Sequence, residues 1–480
     1  MSSGRLPFTQ SRRPPNDASR SRRAIRRYAC PNAQRIPPPR SAVKTIKVGV
    51  FAIALLSLAT FQGCGSSDPT SVVTMQKVAG TYYRVDINMA GASHYEIGRQ
   101  YALQIKNNVP GYEARIDSFL QFMIGLMQDA QRHVVPPISP VIAFADLNAR
   151  AHDLYPNIPQ EYQQEIQGMQ SVFSYATDRI GDGRLSPNKL LVFELFGDIG
   201  RVNSCSASAA FGEGTVSGKT ILGRSLEWKA GTNKYISAIH SVLILHNGSK
   251  SLVSFNALGG LAAISAFSSN KVFGAALDSE IYEEYPSTKG KRSYMMDLRY
   301  ALETATSLQD VANYLTGKDY AFNFNIFLAD ENSAAVFEDN TTEPFSGLRT
   351  ATSALKLDIP DWDHPTAIAT VNCFMLPGSA DNCDLWDGNM PRWESFISRY
   401  EDELAQGKIN IDVMKRITAY PGPKSDGKAV DGAIFRYDEE PALQTIIVDM
   451  DSMETWVFFQ PEGTPLTQPN YLQVFSGNPF

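Results

Sequence analysis

The chain has 480 residues, with 44 lysines and arginines against 50 aspartates and glutamates, and a formal net charge of −6. Residues 1–47 hold 12 basic residues and one acid, residues 48–64 hold no charge, and residues 65–480 carry a net charge of −17. A hydrophobic content of 43% excludes wholesale disorder of this acidic body. Because the body repels phosphate backbones, no nucleic-acid partner is expected.

The N-terminal segments predict export. Residues 1–47 are predicted to be a basic leader: a disordered tail, a processed segment, or the product of a start codon assigned too far upstream. Residues 48–64 begin with fourteen mostly apolar residues after Lys44 and Lys47. Fourteen residues are fewer than the ~20 that span a bilayer, and their order is that of a secretory signal. A short buried helix is the alternative. Cys64 stands where a bacterial lipoprotein signal places its lipidated cysteine, which predicts an envelope lipoprotein tethered to the membrane, or else a periplasmic or secreted protein.

The rest of the chain reads first as helices and then mainly as strands. An apolar stripe at helical spacing predicts a helix over Tyr112–His133, and a second is expected over Pro159–Tyr175. Strands are predicted at Ser206–Gly212, Thr220–Gly223, Ile236–His246, Leu252–Phe255, Val272–Leu277, Phe324–Ala329, Ala334–Glu338, Ala367–Asn372, Thr445–Asp449 and Glu454–Phe459. Further helices are predicted at Ser293–Thr306, Leu308–Leu315, Pro391–Leu404 and Ile411–Tyr420. This order favours an α+β fold with antiparallel sheets.

Metal and cofactor motifs are weak in this sequence. The six histidines are scattered without an HExxH grouping, so neither a metal nor a cofactor is expected. Asp178, Asp182 and Gly183 resemble part of a calcium loop, but Lys189 stands where that loop needs a bidentate glutamate. A polar turn is therefore the preferred interpretation.

Of the five cysteines, Cys30 and Cys64 lie in the N-terminal segments, and the three of residues 65–480 divide into a spaced pair and one left over. Cys373 and Cys383 lie ten residues apart, which allows a disulfide in an oxidising compartment, and two unpaired thiols are equally compatible with the sequence. Cys205 is the remaining cysteine of the body. An odd cysteine in an exported protein marks a reactive thiol to be considered.

Cys205 opens a predicted strand, and Arg224 and Glu227 lie near the end of the next one. A hairpin of the two strands would bring the three side chains together, and the arginine would favour the nucleophilic thiolate. From residue types alone, a structural Arg–Glu pair beside a buried cysteine remains the alternative.

The segment CSASAAFGEGTVSGKTILGRSLEW, from Cys205 to Trp228, resembles the start of the mature chain in N-terminal-nucleophile (Ntn) amidohydrolases. The resemblance is to the acyl-coenzyme A:isopenicillin N acyltransferase group, with choloylglycine hydrolase, penicillin V acylase and acid ceramidase as more distant relatives. Thr370–Phe374 resembles the segment that carries the family's catalytic asparagine, and Met390–Trp393 the one with a later active-site arginine. Upstream, Gly91–Tyr101 and Ile158–Met169 resemble prosegment motifs.

The resemblance implies an αββα sandwich of two antiparallel sheets flanked by helices, and self-cleavage of the Ser204–Cys205 bond. Cleavage would leave a helix-rich prosegment chain, residues 65–204, as a partner of the catalytic chain, residues 205–480. The new α-amine of Cys205 would act as base for its own thiol, so no separate histidine is required.

The resemblance also assigns roles to the other site residues. Asn372 would donate to the oxyanion, and Glu227 would orient the amine of Cys205. Arg224 and Arg392 would place positive charge near the thiolate.

The expected activity is hydrolysis of linear amides in small N-acyl compounds. Acyl transfer to an amine acceptor is the nearest alternative, and a thiol lipase or phospholipase B-like activity could use the same scaffold. A surface-anchored binding protein that lost catalysis belongs to another class. A papain-like pair of Cys205 with His240 or His246 would need no cleavage.

Overall fold

The computed structural model describes residues 72–131, 140–200, 203–228, 235–279, 287–341, 345–385, 388–423, 432–437, 441–463 and 466–480. All of these residues lie within one compact unit, Ser67–Phe480. The predicted leader, signal segment and Cys64 lie outside the described residues. Within the described part, no helix combines the length and apolarity required to cross a bilayer.

Ten helices are assigned in the described part of the chain. They are α1 His94–Asn108, α2 Tyr112–Gln131, α3 Pro140–Leu154, α4 Gln160–Val172, α5 Pro187–Glu194, α6 Phe196–Ile199, α7 Tyr294–Thr304, α8 Leu308–Leu315, α9 Asn389–Gln406 and α10 Ile411–Thr418.

The described residues also form fifteen strands in two sheets. They are β1 Val73–Val78, β2 Tyr82–Asn88, β3 Asn203–Ala210, β4 Ile221–Trp228, β5 His240–His246, β6 Leu252–Ala257, β7 Ser265–Ser268, β8 Phe273–Asp278, β9 Phe324–Ala329, β10 Ala334–Asn340, β11 Phe345–Arg349, β12 Ala367–Thr370, β13 Ala442–Asp449, β14 Glu454–Phe459 and β15 Leu472–Ser476. The nine-stranded sheet has the order β1-β2-β5-β6-β7-β8-β9-β10-β11, and the six-stranded sheet has the order β12-β3-β4-β13-β14-β15.

The two sheets pack against each other and carry helices on their outer faces. β3 faces β8 and β12 faces β10, α7 and α8 pack on the larger sheet, and α9 and α10 pack on the smaller one. Both sheets are antiparallel except for the β2–β5 pair, which is parallel. The α+β architecture of two antiparallel-rich sheets flanked by helices is therefore confirmed.

The region before residue 204 contributes two strands as well as helices. The β1–β2 hairpin turns through Ala79 and Gly80, both at positive φ, and β2 pairs with β5 at the edge of the larger sheet. An alanine at positive φ gives little turn signal in the sequence. The hairpin is stabilised by its partner strand, which lies more than 150 residues downstream.

The two segments that resemble prosegment motifs face each other as α1 and α4. A Cβ atom on Gly98 would lie 1.9 Å from the carbonyl oxygen of Glu165, and one on Gly168 would lie 2.0 Å from that of Tyr95. Glycine at both positions thus allows close backbone contact between the helices.

Candidate active site

Cys205 is buried on β3, which pairs with β4 in the interior of the six-stranded sheet. In the antiparallel register Cys205 is opposite Leu226, Ala207 is opposite Arg224 and Ser204 is opposite Glu227. β4 continues to Trp228, beyond the predicted Gly223, so Arg224 and Glu227 both lie on the strand. Arg224 therefore shares a face of the hairpin with Cys205, whereas strand alternation places Glu227 on the opposite face. Glu227 is linked to the main chain of Cys205 through Arg392, which is bonded to both.

The thiol of Cys205 contacts the guanidinium of Arg224. Arg224 Nη2 donates to Cys205 Sγ at 3.2 Å and to the carbonyl oxygen of Ala276 at 2.8 Å. The Nε and Nη1 groups of Arg224 are buried and have no hydrogen-bond partner among the described residues. One nitrogen of the guanidinium therefore contacts the sulfur, while the N–H groups on Nε and Nη1 can still donate to a bound group.

Burial raises the pKa of the Cys205 thiol, and the Arg224 charge and hydrogen bond oppose that shift. The carboxylates of Asp278 and Glu227 raise this pKa further. The net direction is upward, so the thiol is neutral at pH 7 in the unbroken chain. Attack by the sulfur thus requires a base.

Asn372 and Arg392 converge on the main chain of Cys205. The Cys205 N–H donates to Asn372 Oδ1 at 2.7 Å, and Arg392 Nη1 donates to the Cys205 carbonyl oxygen at 3.0 Å. Arg392 also donates to Asn372 Oδ1 at 2.9 Å and to Glu227 Oε2 at 3.1 Å. Asn372 Nδ2 donates to the carbonyl oxygen of Asp278 at 2.7 Å. All five residues assigned catalytic roles by the resemblance thus lie within one buried network.

In this unbroken chain the acceptor for the Cys205 N–H is Asn372, whereas the resemblance gives that role to Glu227. The carboxylate of Glu227 pairs instead with Arg392, which fixes the guanidinium between it and Asn372. The interaction of Glu227 with a free α-amine stays a prediction, since the amine arises only after cleavage.

The positions of Asn372 and Arg392 follow from local structure. Asn372 lies just after β12, and Arg392 lies in the first turn of α9. The structure joins Cys373 and Cys383 in a disulfide, and Asn325 Nδ2 donates to the carbonyl oxygens of Val371 and Cys373 at 3.0 and 2.9 Å. The backbone on both sides of Asn372 is therefore fixed by distant parts of the chain.

Three acidic and phenolic groups near the thiol were missed by sequence reasoning. Asp278, the last residue of β8, accepts from the hydroxyl of Tyr294 at 2.7 Å. The Tyr294 N–H in turn donates to Asp198 Oδ1 at 2.8 Å, and burial raises the pKa of Asp198 to about 7. A carboxylate directly after a predicted buried strand was the available signal for Asp278. The sequence held no such signal for Asp198, because it lies in a helix of only four residues, which is too short to show a periodic pattern.

The two histidines of the papain-like alternative have other partners. His240 contacts the carbonyl oxygen of Gln460 at 2.9 Å and the amide of Gln444 at 3.2 Å, and burial lowers its pKa to about 4. His246 contacts Asp86 at 3.1 Å. Neither hydrogen-bonds the Cys205 thiol in the described structure, so these contacts do not support a Cys–His pair.

The loop that resembles a calcium site in sequence contains an internal cation. Lys189 Nζ lies 2.8 Å from Asp117 Oδ1 and 2.7 Å from Asp182 Oδ1, and it also donates to the carbonyl oxygens of Arg179 and Arg184. The ammonium thus occupies the centre that a metal ion would take. Across the described residues, no group of three or more histidine, cysteine or acidic side chains is arranged to bind a metal ion.

A scan against protein-family models finds no match, and a search of curated proteins finds no significant match. Several solved structures are similar to this chain. An N-acylethanolamine-hydrolyzing acid amidase ortholog from Caenorhabditis elegans is 12% identical over 51% of this chain and 93% of its own, with a TM-score of 0.37.

Two bacterial enzymes are similar to a comparable extent. A single-residue variant of the conjugated bile acid hydrolase from Clostridium perfringens is 10% identical, with a TM-score of 0.34, over 57% of this chain and 93% of its own. The penicillin V acylase from Agrobacterium tumefaciens is 9% identical, with a TM-score of 0.33, over 56% of this chain and 86% of its own. Similarities at this level carry no argument about the activity of this chain.

Proposed function

We propose that this protein is a self-processing cysteine amidohydrolase that cleaves linear amide bonds of N-acyl compounds through an acyl-enzyme on Cys205. The observation that carries the proposal is the set of contacts to the backbone and the thiol of Cys205. Asn372 accepts from its N–H, Arg392 donates to its carbonyl oxygen, and Arg224 donates to its sulfur. A purely structural cysteine needs no such polar environment around both its thiol and its main chain.

The proposed self-cleavage is an attack of the Cys205 sulfur on the carbonyl carbon of Ser204. The C–N bond breaks, a thioester forms between Ser204 and the sulfur, and the nitrogen gains the proton lost by the thiol. Water then hydrolyses the thioester, which leaves a carboxylate on Ser204 and a free amine and thiol on Cys205. Since this nitrogen already donates to Asn372 at 2.7 Å, the new amine would arise in a polar environment.

The new amine supplies the base for substrate turnover. An α-amino group has a pKa near ~8, so a fraction is neutral at pH 7 and can accept the thiol proton. The thiolate then attacks the substrate carbonyl, the amine product leaves with the proton, and water releases the acid. The N–H groups of Arg224 Nε and Nη1 and the second N–H of Asn372 Nδ2 are available to the oxyanion, and such donors typically contribute ~10²–10³ in rate.

The prosegment is proposed to remain bound after cleavage. β2 pairs with β5 along six residue pairs, and Glu165 on α4 forms a bidentate ion pair with Arg299 on α7, both side chains being buried. Separating the chains would expose this edge and leave buried charges unpaired.

Export of the protein also belongs to the proposal. It is supported by the Cys373–Cys383 disulfide, because disulfides persist in oxidising compartments.

The mass and N-terminal sequence of the purified protein test the cleavage. Two fragments, the second beginning at Cys205, are expected from the native chain, and one chain is expected from the Cys205→Ala variant. A native chain that stays intact yet hydrolyses amides would refute the mechanism. A chain that neither cleaves nor reacts with amides would favour the binding-protein alternative.

Two variants of Asn372 separate its roles during turnover. Asn372→Ala removes both the acceptor and the donor, whereas Asn372→Asp keeps an acceptor for the Cys205 nitrogen and Arg392. If Asn372 donates to the oxyanion, both variants lose ~10²–10³ in kcat on an N-acyl p-nitroanilide. Equal turnover by the native protein and both variants would remove Asn372 from the site. Adding hydroxylamine during the assay tests acyl transfer, because a transferase would accumulate the hydroxamate in preference to the acid.

A further inference from the structure

Asn372 lies in a loop, whereas the other proposed catalytic residues lie on β3, β4 or α9. Strand β12 ends at Thr370, and the pairing of Thr370 with Ala207 is the last in its ladder with β3. Asn372 follows two residues later, beyond the ladder. Supports other than strand pairing are therefore needed to hold its side chain against Cys205.

The position of Asn372 is demanding, because its side chain contacts the bond that is proposed to break. Its Oδ1 accepts from the Cys205 N–H at 2.7 Å, and its Nδ2 donates to the carbonyl oxygen of Asp278 at 2.7 Å. The Cys205 nitrogen is the leaving atom of the proposed self-cleavage, so the amide of Asn372 orients the scissile peptide. A misplacement of ~1 Å at such a contact can cost ~10²-fold in rate.

The carbonyl groups on both sides of Asn372 are held by one side chain of the larger sheet. Asn325 on β9 is fully buried, and its Nδ2 donates to the carbonyl oxygens of Val371 and Cys373 at 3.0 and 2.9 Å. The two N–H groups of a single amide thus hold the two neighbours of Asn372. Cys373, the second neighbour, is also one end of the disulfide.

The other end of the disulfide reaches Asn372 through Asn382, which directly precedes Cys383. Asn382 Oδ1 accepts from the Phe374 N–H at 2.9 Å, and its Nδ2 donates to Ser279 Oγ at 2.9 Å. The hydroxyl of Ser279 in turn donates to the carbonyl oxygen of Asn372 at 3.4 Å. The segments that carry the two cysteines therefore support Asn372 together.

The disulfide also connects Asn372 to Arg392. The carbonyl oxygen of Cys383 accepts from Asn389 Nδ2 at 3.4 Å, and Asn389 Oδ1 accepts from Arg392 Nη2 at 3.3 Å. The same Nη2 donates to Asn372 Oδ1 at 2.9 Å. Asn372 is thus joined to Cys373 by the chain itself, and its partner Arg392 is joined to Cys383 by hydrogen bonds.

We infer that the Cys373–Cys383 disulfide positions Asn372 for cleavage of the Ser204–Cys205 bond, so that the chain cleaves itself rapidly only after this pair has been oxidised. The inference rests on the proposed function, because the self-cleavage belongs to that proposal. Without the cross-link, the segment that carries Cys383 can separate from Asn372. The scissile peptide then loses its fixed geometry, and cleavage slows.

The oxidation is a thiol–disulfide exchange. The S–S bond of an external disulfide breaks, the bond between Cys373 and Cys383 forms, and the two external thiols that result carry away both protons. Cytosolic thiols are kept reduced, whereas exported chains meet oxidants of this class. The free amine of Cys205 would therefore arise only after export.

Cell-free synthesis of the full chain, with either dithiothreitol or glutathione disulfide present, tests this order of events. The appearance of the two fragments over time gives the rate of cleavage. We expect cleavage to be ~10²-fold slower in dithiothreitol, and the Cys373→Ser/Cys383→Ser variant to cleave at this slow rate in both conditions. A direct effect on the Cys205 thiol would have the opposite sign, because the reductant preserves that thiol.

A second comparison separates positioning from a general loss of stability. In Asn372→Ala the difference between the two conditions should disappear, because the disulfide then has no catalytic side chain to position. The control for lost stability is Lys189→Met, which removes the cation beside the buried Asp117 and should keep the native response to reductant. A response that persists in Asn372→Ala would mean that the disulfide acts on stability alone, and it would overturn the inference.

Hydrogen exchange in the Cys205→Ala chain tests the contact without any cleavage. The N–H at position 205 should exchange at least ~10-fold faster after reduction of the disulfide, while the amides of α4 should be unaffected. Unchanged exchange at position 205 would overturn the inference whatever the cleavage rates. Equal cleavage of the native chain in both conditions would also overturn it and leave the proposed function intact, whereas no cleavage in either condition would refute the proposed function as well.

Discussion

The buried carboxyl of Glu194 predicts how stability changes with pH. Burial raises its pKa to about 8 from an ordinary 4.5, against the opposing effects of the Leu261 N–H and the Arg299 charge, with Glu165 raising it further. Because the folded-state pKa is the higher one, the folded state holds the proton more tightly. The associated stability is fully present below pH ~4.5 and is lost as the pH rises towards ~8.

The size of the effect follows from the difference between the two pKa values. At pH 7 the unfolded chain would have released this proton almost completely, which costs the folded state about 3 kcal/mol relative to pH 4.5. Glu194→Gln removes the titration and keeps an acceptor for the Leu261 N–H. The variant should therefore exceed its parent in stability by about 3 kcal/mol at pH 7 and differ from it little at pH 4.5.

Urea unfolding between pH 4.5 and 8 measures this difference. Both proteins should carry Cys205→Ala, so that a single uncleaved chain unfolds. Glu401→Gln, a change to an exposed carboxylate, is the control and should follow the parent. If Glu194→Gln loses as much stability as its parent between pH 4.5 and 7, the carboxyl does not titrate as the structure indicates.

Three further predictions concern the framework. Lys189→Met should destabilise the protein by about 3–5 kcal/mol in urea unfolding, because it leaves the buried carboxylate of Asp117 and the partly exposed one of Asp182 without their cation. Added Ca²⁺ should restore part of the loss, and no Ca²⁺ effect would contradict the view of this loop as a filled cation site. Arg299→Met should destabilise the protein by a similar amount and, after cleavage, release the prosegment in gel filtration, since Glu165 keeps His94 but loses its partner in the catalytic region. Co-elution as in the native protein would count against this. Reduction of the Cys373–Cys383 disulfide should lower the free energy of unfolding by about 3 kcal/mol, because the cross-link closes an eleven-residue loop and so restricts the unfolded chain. A Cys373→Ser/Cys383→Ser variant should show the same loss of stability and no response to reductant.

Local sequence was sufficient for much of the secondary structure in the catalytic region. The helix at Leu308–Leu315 has the predicted bounds, and the strands at Phe324–Ala329 and Glu454–Phe459 do as well. Their apolar spacing and flanking turn residues act within a few positions of each other. The predicted end of strand β4 at Gly223 is wrong, since the strand extends to Trp228. Its polar residues Arg224, Ser225 and Glu227 are buried, and the strand is hydrogen-bonded to β3 on one side and β13 on the other, which the local sequence does not indicate.

The sequence by itself determined the thiol at Cys205, the spacing of Arg224 and Glu227 on the next strand, and the α+β character of the fold. Only the tertiary structure decided that Asn372 and Arg392 meet the backbone of Cys205, that the cysteine pair is a disulfide, and that Glu194 lines a cavity beside Trp228. The physical reason is chain separation. A strand period or a hairpin spacing is encoded within some twenty residues, whereas Asn372 lies 167 positions from Cys205, and its contact depends on packing of the whole core.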